Sequence, residues 1–156
     1  MEREEIIQAI IEKFKEMSTE TIVFHHAVAD VLGLHITDHK CLDLLNRFGA
    51  MPAGRLGELT GLTTGAVTGI IDRLEEGGYA RRTNDPKDRR RIIVEPVRNK
   101  KLERKMQMIF VPLHTTMHKV LSSYADNELA FLRDAMTEFI KQTREESRRL
   151  RSEPAR

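Results

Sequence analysis

The stretch from Pro52 to Tyr79 constrains this chain more than any other. Its apolar residues fall into two short helical periods, one from about Gly54 to Leu59 and one whose inner face reads Val67, Ile70, Ile71 and Leu74. Thr60-Gly61-Leu62 between them leaves room only for a tight turn. Thr63 stands where an N-cap hydroxyl belongs, and Gly77-Gly78 stands where a helix stops. Two short helices joined by a glycine-bearing turn make a helix-turn-helix. The character then changes. Tyr79-Ala80-Arg81-Arg82 can run as a strand, Asn84-Asp85-Pro86-Lys87-Asp88 is dense in turn formers, and Arg91-Ile92-Ile93-Val94 is β-branched. The expectation is a β-hairpin with a long basic tip: a wing directly after the helix-turn-helix.

Long helices flank this unit. Ile6, Ile7, Ile10, Phe14, Met17, Phe24, Val28 and Val31 recur at helical spacing until Gly33. Thr37 is the expected N-cap of a second helix through Cys41, Leu42, Leu44 and Leu45, which Phe48-Gly49 ends. After Pro96 a long helix carries Leu102, Met106, Ile109, Leu113, Met117, Val120 and Tyr124 on one stripe, with a kink expected at Pro112. Asp126 is the expected cap of a last helix with Leu129, Leu132, Met136, Phe139 and Thr143 inward, and the charged tail from Arg144 is expected to fray. The fold class is therefore mostly α with a small β-hairpin wing (α+β), a winged helix-turn-helix flanked by long dimerisation helices. The expected divisions are 1–36, an N-terminal dimerisation helix; 37–97, the winged helix-turn-helix; 98–150, two C-terminal dimerisation helices; and 151–156, a frayed tail.

Net charge is only +2, so the distribution of charge says more than its sum. Acid gathers near the N-terminus at Glu2, Glu4, Glu5, Glu12, Glu16 and Glu20. Base gathers at Arg81, Arg82, Lys87, Arg89, Arg90 and Arg91, and again at Arg98, Lys100, Lys101, Arg104 and Lys105. Local basic clusters on a near-neutral chain suit one face built for a polyanion. A single cysteine, Cys41, excludes a disulfide within the chain and fits a reducing compartment. No apolar run reaches the length of a membrane span, and the acidic N-terminus lacks a signal-peptide core, so a cytoplasmic protein without a membrane partner is expected.

Helix-turn-helix chemistry points to double-stranded DNA. The second helix presents Thr63, Thr64, Gly65 and Thr68 near its N-terminus, opposite Val67 and Leu74. Recognition helices touch bases with their N-terminal residues, and threonine offers both a hydroxyl and a methyl to a groove. Gly65 and Gly69 weaken a helix and allow close backbone approach, whereas a helical hairpin that merely packs has no use for them. Arg89, Arg90 and Arg91 at the wing suit the narrow, strongly negative minor groove of A·T-rich DNA; in isolation the same loop reads as solvated charge. Arg73 and the run from Arg98 to Lys105 are expected to anchor phosphates.

On these residues the chain resembles the MarR family of bacterial transcriptional regulators. The resemblance runs from about Ile6 to about Leu150. It is most specific at Asp72-Arg73-Leu74-Glu75, Gly78-Tyr79 and Asp85-Pro86-Lys87-Asp88-Arg89-Arg90. It implies that Asp88 braces the wing and that Arg90 enters the minor groove. Three positions depart from the family pattern. Val94-Glu95-Pro96 stands where many members have Leu-Thr and a glycine; Gly69 stands where an arginine is common; and Cys41 lies in the second helix rather than the first, so a peroxide-sensing role does not transfer.

The resemblance further implies a homodimer, a pseudo-palindromic operator, and release from DNA by a small molecule. Phe24, His25, His26 and Met117 are of the right types to line an effector pocket, or equally to serve as ordinary packing and helix surface. His114 and His118, four apart on one helix, are the weak metal candidates, with His35, His39 and Cys41 as further donors. Two surface histidines on a helix is the competing reading. No enzyme motif stands out. Gly65-Ala66-Val67-Thr68-Gly69 lacks the lysine of a phosphate loop, no serine sits in a nucleophile elbow, and His25-His26 has no carboxylate at metalloprotease spacing. The expected function is a sequence-specific DNA-binding regulator, a repressor without a cofactor. A zinc-responsive regulator on the same fold and a winged helix protein-interaction module are the alternatives.

Overall fold

The computed structural model describes residues 2–85, 88 and 91–152. It divides into two units, 1–107 and 108–156. The first holds α1 (Arg3–Leu32), α2 (Ile36–Phe48), β1 (Met51–Pro52), α3 (Ala53–Thr60), α4 (Thr64–Glu76), β2 (Ala80–Asn84), β3 (Ile92–Pro96) and the start of α5 (Lys100–Leu121). The second holds the rest of α5 and α6 (Asp126–Ser152). Among the described residues, six helices and a three-stranded antiparallel sheet of order β1-β3-β2 confirm the mostly α class with a small wing.

The first unit buries its apolar periods where spacing expects them. Leu42 and Leu45 of α2, Leu56 of α3, and Val67, Ile70, Ile71 and Leu74 of α4 meet Val94 of β3 in one core. Val28, Ala29 and Leu32 of α1 and Leu102 of α5 are buried as well. Fully burying a side chain of this size stabilises by roughly 1.5–3 kcal/mol, so this cluster is the energetic centre of the unit. The turn between α3 and α4 is tight because Gly61 takes φ 74 and its N–H closes on Gly57 O at 2.7 Å, a left-handed geometry suited to glycine. Thr63 caps α4 as its position suggests, its Oγ1 accepting from Ala66 N at 3.3 Å.

Some boundaries shift. α2 starts at Ile36 with His35, not Thr37, in the capping position. The Thr37 hydroxyl is turned toward Asp38 Oδ1 at 3.4 Å instead of an orphan N–H. α5 starts at Lys100, because Asn99 Oδ1 accepts from both Lys101 N and Leu102 N at 3.1 Å. Ala125, one residue before Asp126, occupies the cap of α6: its O accepts from Leu129 N, and its N donates to Glu128 Oε2 at 2.8 Å. α6 stays helical through Ser152, well past Arg144. The strand β1 has no counterpart in the sequence reading, since two residues show no period; it adds Met51 to the sheet opposite Val94.

The second unit contrasts with the first. Between Met108 and Ser152 none of the described residues is buried. Met108 is 78% exposed and Phe131 74%, and Leu113, Met117, Val120, Tyr124, Leu132, Met136 and Phe139 are also exposed. The N-terminal two-thirds of α1 is similar, with Ile6, Ile7, Ile10, Ile11 and Met17 exposed. Among the described residues no helix is long and apolar enough to cross a membrane.

Candidate nucleic-acid interface

α4 is two-faced. Val67, Ile70, Ile71 and Leu74 are buried, while Thr64, Gly65 and Thr68 are exposed on the other side. A Cβ built at Gly65 meets nothing within 4 Å, and one at Gly69 meets only Arg73 NH1 at 3.5 Å. Packing within the chain therefore does not demand either glycine, and the bare backbone they create faces outward. The Thr68 hydroxyl donates to Thr64 O at 2.9 Å, which fixes the side chain and leaves its methyl and oxygen lone pairs as the outward features. In the Thr63 cap the hydroxyl oxygen is an acceptor, so that bond leaves its proton unused.

The wing is a regular ladder. Ala80↔Pro96, Arg82↔Val94 and Asn84↔Ile92 set its register, and Val97 N donates to Tyr79 O at 2.9 Å beyond Pro96. This settles the junction at Val94-Glu95-Pro96: the proline ends the strand where no ladder N–H is required of it. Toward the tip, Asp85 N donates to Arg91 O and Arg91 N to Asp88 O, both at 2.9 Å. Asp88 and Arg91 are exposed. Lys87, Arg89 and Arg90 lie outside the described residues.

Several cations of the expected basic face have partners inside the chain. Arg73 forks onto Asp38, Nε donating to Oδ2 at 2.8 Å and NH2 to Oδ1 at 2.7 Å. Asp38 is 2% exposed, so a buried α2 carboxylate holds α4 through a bidentate pair. The expected phosphate anchor is thus first a brace between two helices. Arg81 pairs with Glu95 across the ladder. Arg82 pairs with Asp72 at 2.7 Å and with Glu75, both on α4. Asp38 escapes the sequence reading, and Asp72 and Glu75 enter it only as members of the family motif, without their ion-pair roles. A signal for Asp38 exists all the same: it shares the apolar stripe of α2 with Cys41, Leu42 and Leu45, and a carboxylate there calls for a cation.

The effector candidates are partly assembled. Phe24 and His25 on α1 are half-buried with ring centroids 5.7 Å apart, and His26 is exposed. His25 Nδ1 lies 3.2 Å from Nε2 of His39, which is 1% exposed. Burial, and then the neighbouring His25, hold His39 below its ordinary pKa, and its Nδ1 has no hydrogen-bond partner among the described residues. Met117 is exposed on α5 in the second unit. Burial pushes the Cys41 thiol up to about 11, with Asp38 adding to the shift; Cys41 is a core residue. His114 and His118 are exposed on α5, and His118 Nδ1 lies 3.3 Å from Ser122 Oγ. Among the described residues no group of three or more His, Cys, Asp or Glu is placed to hold a metal.

Comparison with known proteins agrees with this geometry. The sequence model of the MarR family matches residues 34–92. The chain is 40% identical over 130 residues to the uncharacterized HTH-type transcriptional regulator YcgE of Bacillus subtilis (strain 168), covering 83% of each protein. It is 33% identical over 70 residues to YfiV, another uncharacterized HTH-type transcriptional regulator of that strain, covering 45% of this chain and 44% of YfiV. Its fold is similar to that of a MarR family protein from Bacillus stearothermophilus, with TM-score 0.68 at 15% identity over 92% of this chain and 99% of that one. It is also similar to wild-type MarR from E. coli in its apo form, with TM-score 0.58 at 19% identity over 82% and 95%. The two-faced α4, the wing behind it and these relatives lead to one conclusion: the chain belongs to the MarR family, and it is a DNA-binding transcriptional regulator rather than an enzyme.

Proposed function

We propose that the protein is a cytoplasmic homodimeric repressor that holds a pseudo-palindromic operator and leaves it when a small ligand binds. The observation that supports this most is the outer face of α4, where Thr64, Gly65 and Thr68 are exposed and the space beyond Gly65 is open. In a two-fold dimer each α4 enters a major groove, with half-sites about one helical turn (10–10.5 bp) apart. Thr63, Thr64 and Thr68 read base edges and phosphates, Gly65 admits the backbone, and the wing carrying Asp88, Arg91 and the residues between reaches the neighbouring minor groove. The exposed apolar stripes of α1, α5 and α6 are the dimer surface in this reading, because a second copy is the partner that buries equal stripes by symmetry. Phe24, His25, His26 and Met117 are the proposed effector contacts.

The test is fluorescence anisotropy on a duplex that the protein itself selects from a random-sequence pool, against scrambled DNA, over a range of salt. The expected result is specific binding whose log affinity falls by about 0.9 per phosphate contact for each unit of log salt. Equal weak binding to both DNAs at every salt concentration would overturn the operator reading. A selected site without two-fold symmetry would overturn the dimer geometry.

A further inference from the structure

The Arg82 side chain joins the wing strand β2 to α4, the helix proposed to read DNA. Arg82 sits mid-strand in β2, opposite Val94. Its backbone N donates to Glu75 Oε1 at 2.6 Å. Its guanidinium reaches Glu75 and Asp72, the latter at 2.7 Å, and NH2 lies 3.5 Å from Thr68 O. Thr68, Asp72 and Glu75 follow one another at helical spacing along a single face of α4. Arg82 therefore spans two turns of the recognition helix and reaches back to a base-reading residue. Neighbouring Arg81, pointing to the other side of the strand as pleating requires, pairs with Glu95 across the ladder. Three residues beyond Arg82, Asp85 N closes the base of the wing tip on Arg91 O.

We infer that Arg82 is a positioning residue for DNA recognition: it locks the angle between wing and recognition helix, so that both meet their grooves in one fixed register, and it neutralises two carboxylates at the exposed edge of α4. The inference rests on the DNA geometry proposed above. A hairpin fastened to the sheet only by its ladder can swing about the strand axis. The backbone bond and the forked guanidinium oppose that swing before DNA arrives, and such preorganisation raises affinity by lowering the ordering cost of binding. The charge effect points the same way. Without Arg82, Asp72 and Glu75 leave two uncompensated negative charges beside a polyanion. Glu75 and Arg82 are each less than one-third exposed, so water screens this pair less than an ordinary surface pair.

The experiment compares the wild type with Arg82→Met, Arg82→Lys and the triple variant Arg82→Met/Asp72→Asn/Glu75→Gln. Thermal melts establish that each is folded. Binding is measured by anisotropy on the duplex selected by the wild type, on a version with its A·T flanks changed to G·C, and on a version with its central bases changed. Arg82→Met is expected to bind the selected duplex about tenfold more weakly. It is also expected to lose the preference for A·T flanks while still rejecting the altered centre. The triple variant is expected to recover affinity at low salt but not the flank preference, which separates charge from geometry. Arg82→Lys, a point charge that cannot fork onto both carboxylates, is expected to fall between, and it answers the question if Arg82→Met does not fold. Folded variants that keep both wild-type affinity and flank preference would overturn the inference. So would a loss that is uniform across all three duplexes. If the wild type selects no duplex at all, the underlying DNA geometry fails first, a result distinct from either of these.

Discussion

The winged lobe and the outer helices treat the same kind of apolar stripe in opposite ways. In the lobe, the stripes of α2, α3 and α4 close on Val94 into a core, and Leu45, Leu56 and Leu74 have no exposed surface. In α6 the stripe Leu132, Met136, Phe139 has equal periodicity and no buried member. Periodicity therefore says which face of a helix seeks cover, not what covers it. The lobe covers its faces within one chain, and the stripes of the outer helices stay exposed among the described residues, where the proposed dimer would cover them with a second copy. The proposed dimer would use such a division, because the α4 surface stays intact while the spacing between two copies is set elsewhere.

The largest effect expected sharpens this contrast. Leu74→Ala removes a fully buried side chain from the lobe and should cost about 2–5 kcal/mol in a denaturant titration. Phe139→Ala, on the exposed stripe, should instead make the melting temperature depend more strongly on protein concentration. If Phe139→Ala lowered stability equally at every concentration, the stripe would be packing within its own chain and the contrast would collapse.

Next comes the brace behind α4. Arg73→Ala leaves Asp38 buried without its cation and should lower stability clearly, though by less than the loss of a fully buried pair, because this guanidinium reaches water. Asp38→Asn, which leaves the cation free to be solvated, should cost less. The reverse order in urea titrations would show that Arg73 does not compensate Asp38, and would return Arg73 to the role of a phosphate anchor.

The seam between α1 and α2 adds a pH dependence. His39 is held below its ordinary pKa by burial and then by His25, so the unfolded chain takes up a proton more readily than the folded one. The stability that neutral His39 contributes is complete above the unfolded value of about 6.5 and is lost as pH falls below it toward the folded value. Stability measured from pH 8 to pH 5 should therefore drop on the acid side, and His39→Leu should flatten that drop. An unchanged acid limb in the variant would remove His39 from the account.

The smallest effect bears on the outer face of α4. Gly65→Ala meets no neighbour and should raise stability by about 0.4–1 kcal/mol while weakening binding to the selected duplex. A variant that gained stability and kept its affinity would mean that DNA does not approach this backbone.

Short-range chemistry made much of this molecule legible in its sequence. Thr63 and Gly61 declare the helix-turn-helix because a cap and a left-handed turn act within a few residues. The stripe Val67, Ile70, Ile71, Leu74 marks the inner face of α4, so the outward threonines follow by subtraction. Folding alone decided how the cations are used. Arg73 meets Asp38 across 35 positions, and Arg82 meets Asp72 and Glu75 only once the strand lies along the helix. A run of arginines looks the same in sequence whether it faces phosphates or carboxylates. β1 was invisible for a related reason, since two residues become a strand only when Val94 arrives to pair with them. Local patterns in the chain determined its elements, their inner faces and its family. The tertiary structure decided which charges remain for a partner, because an ion pair depends on distance in space and sequence records only distance along the chain.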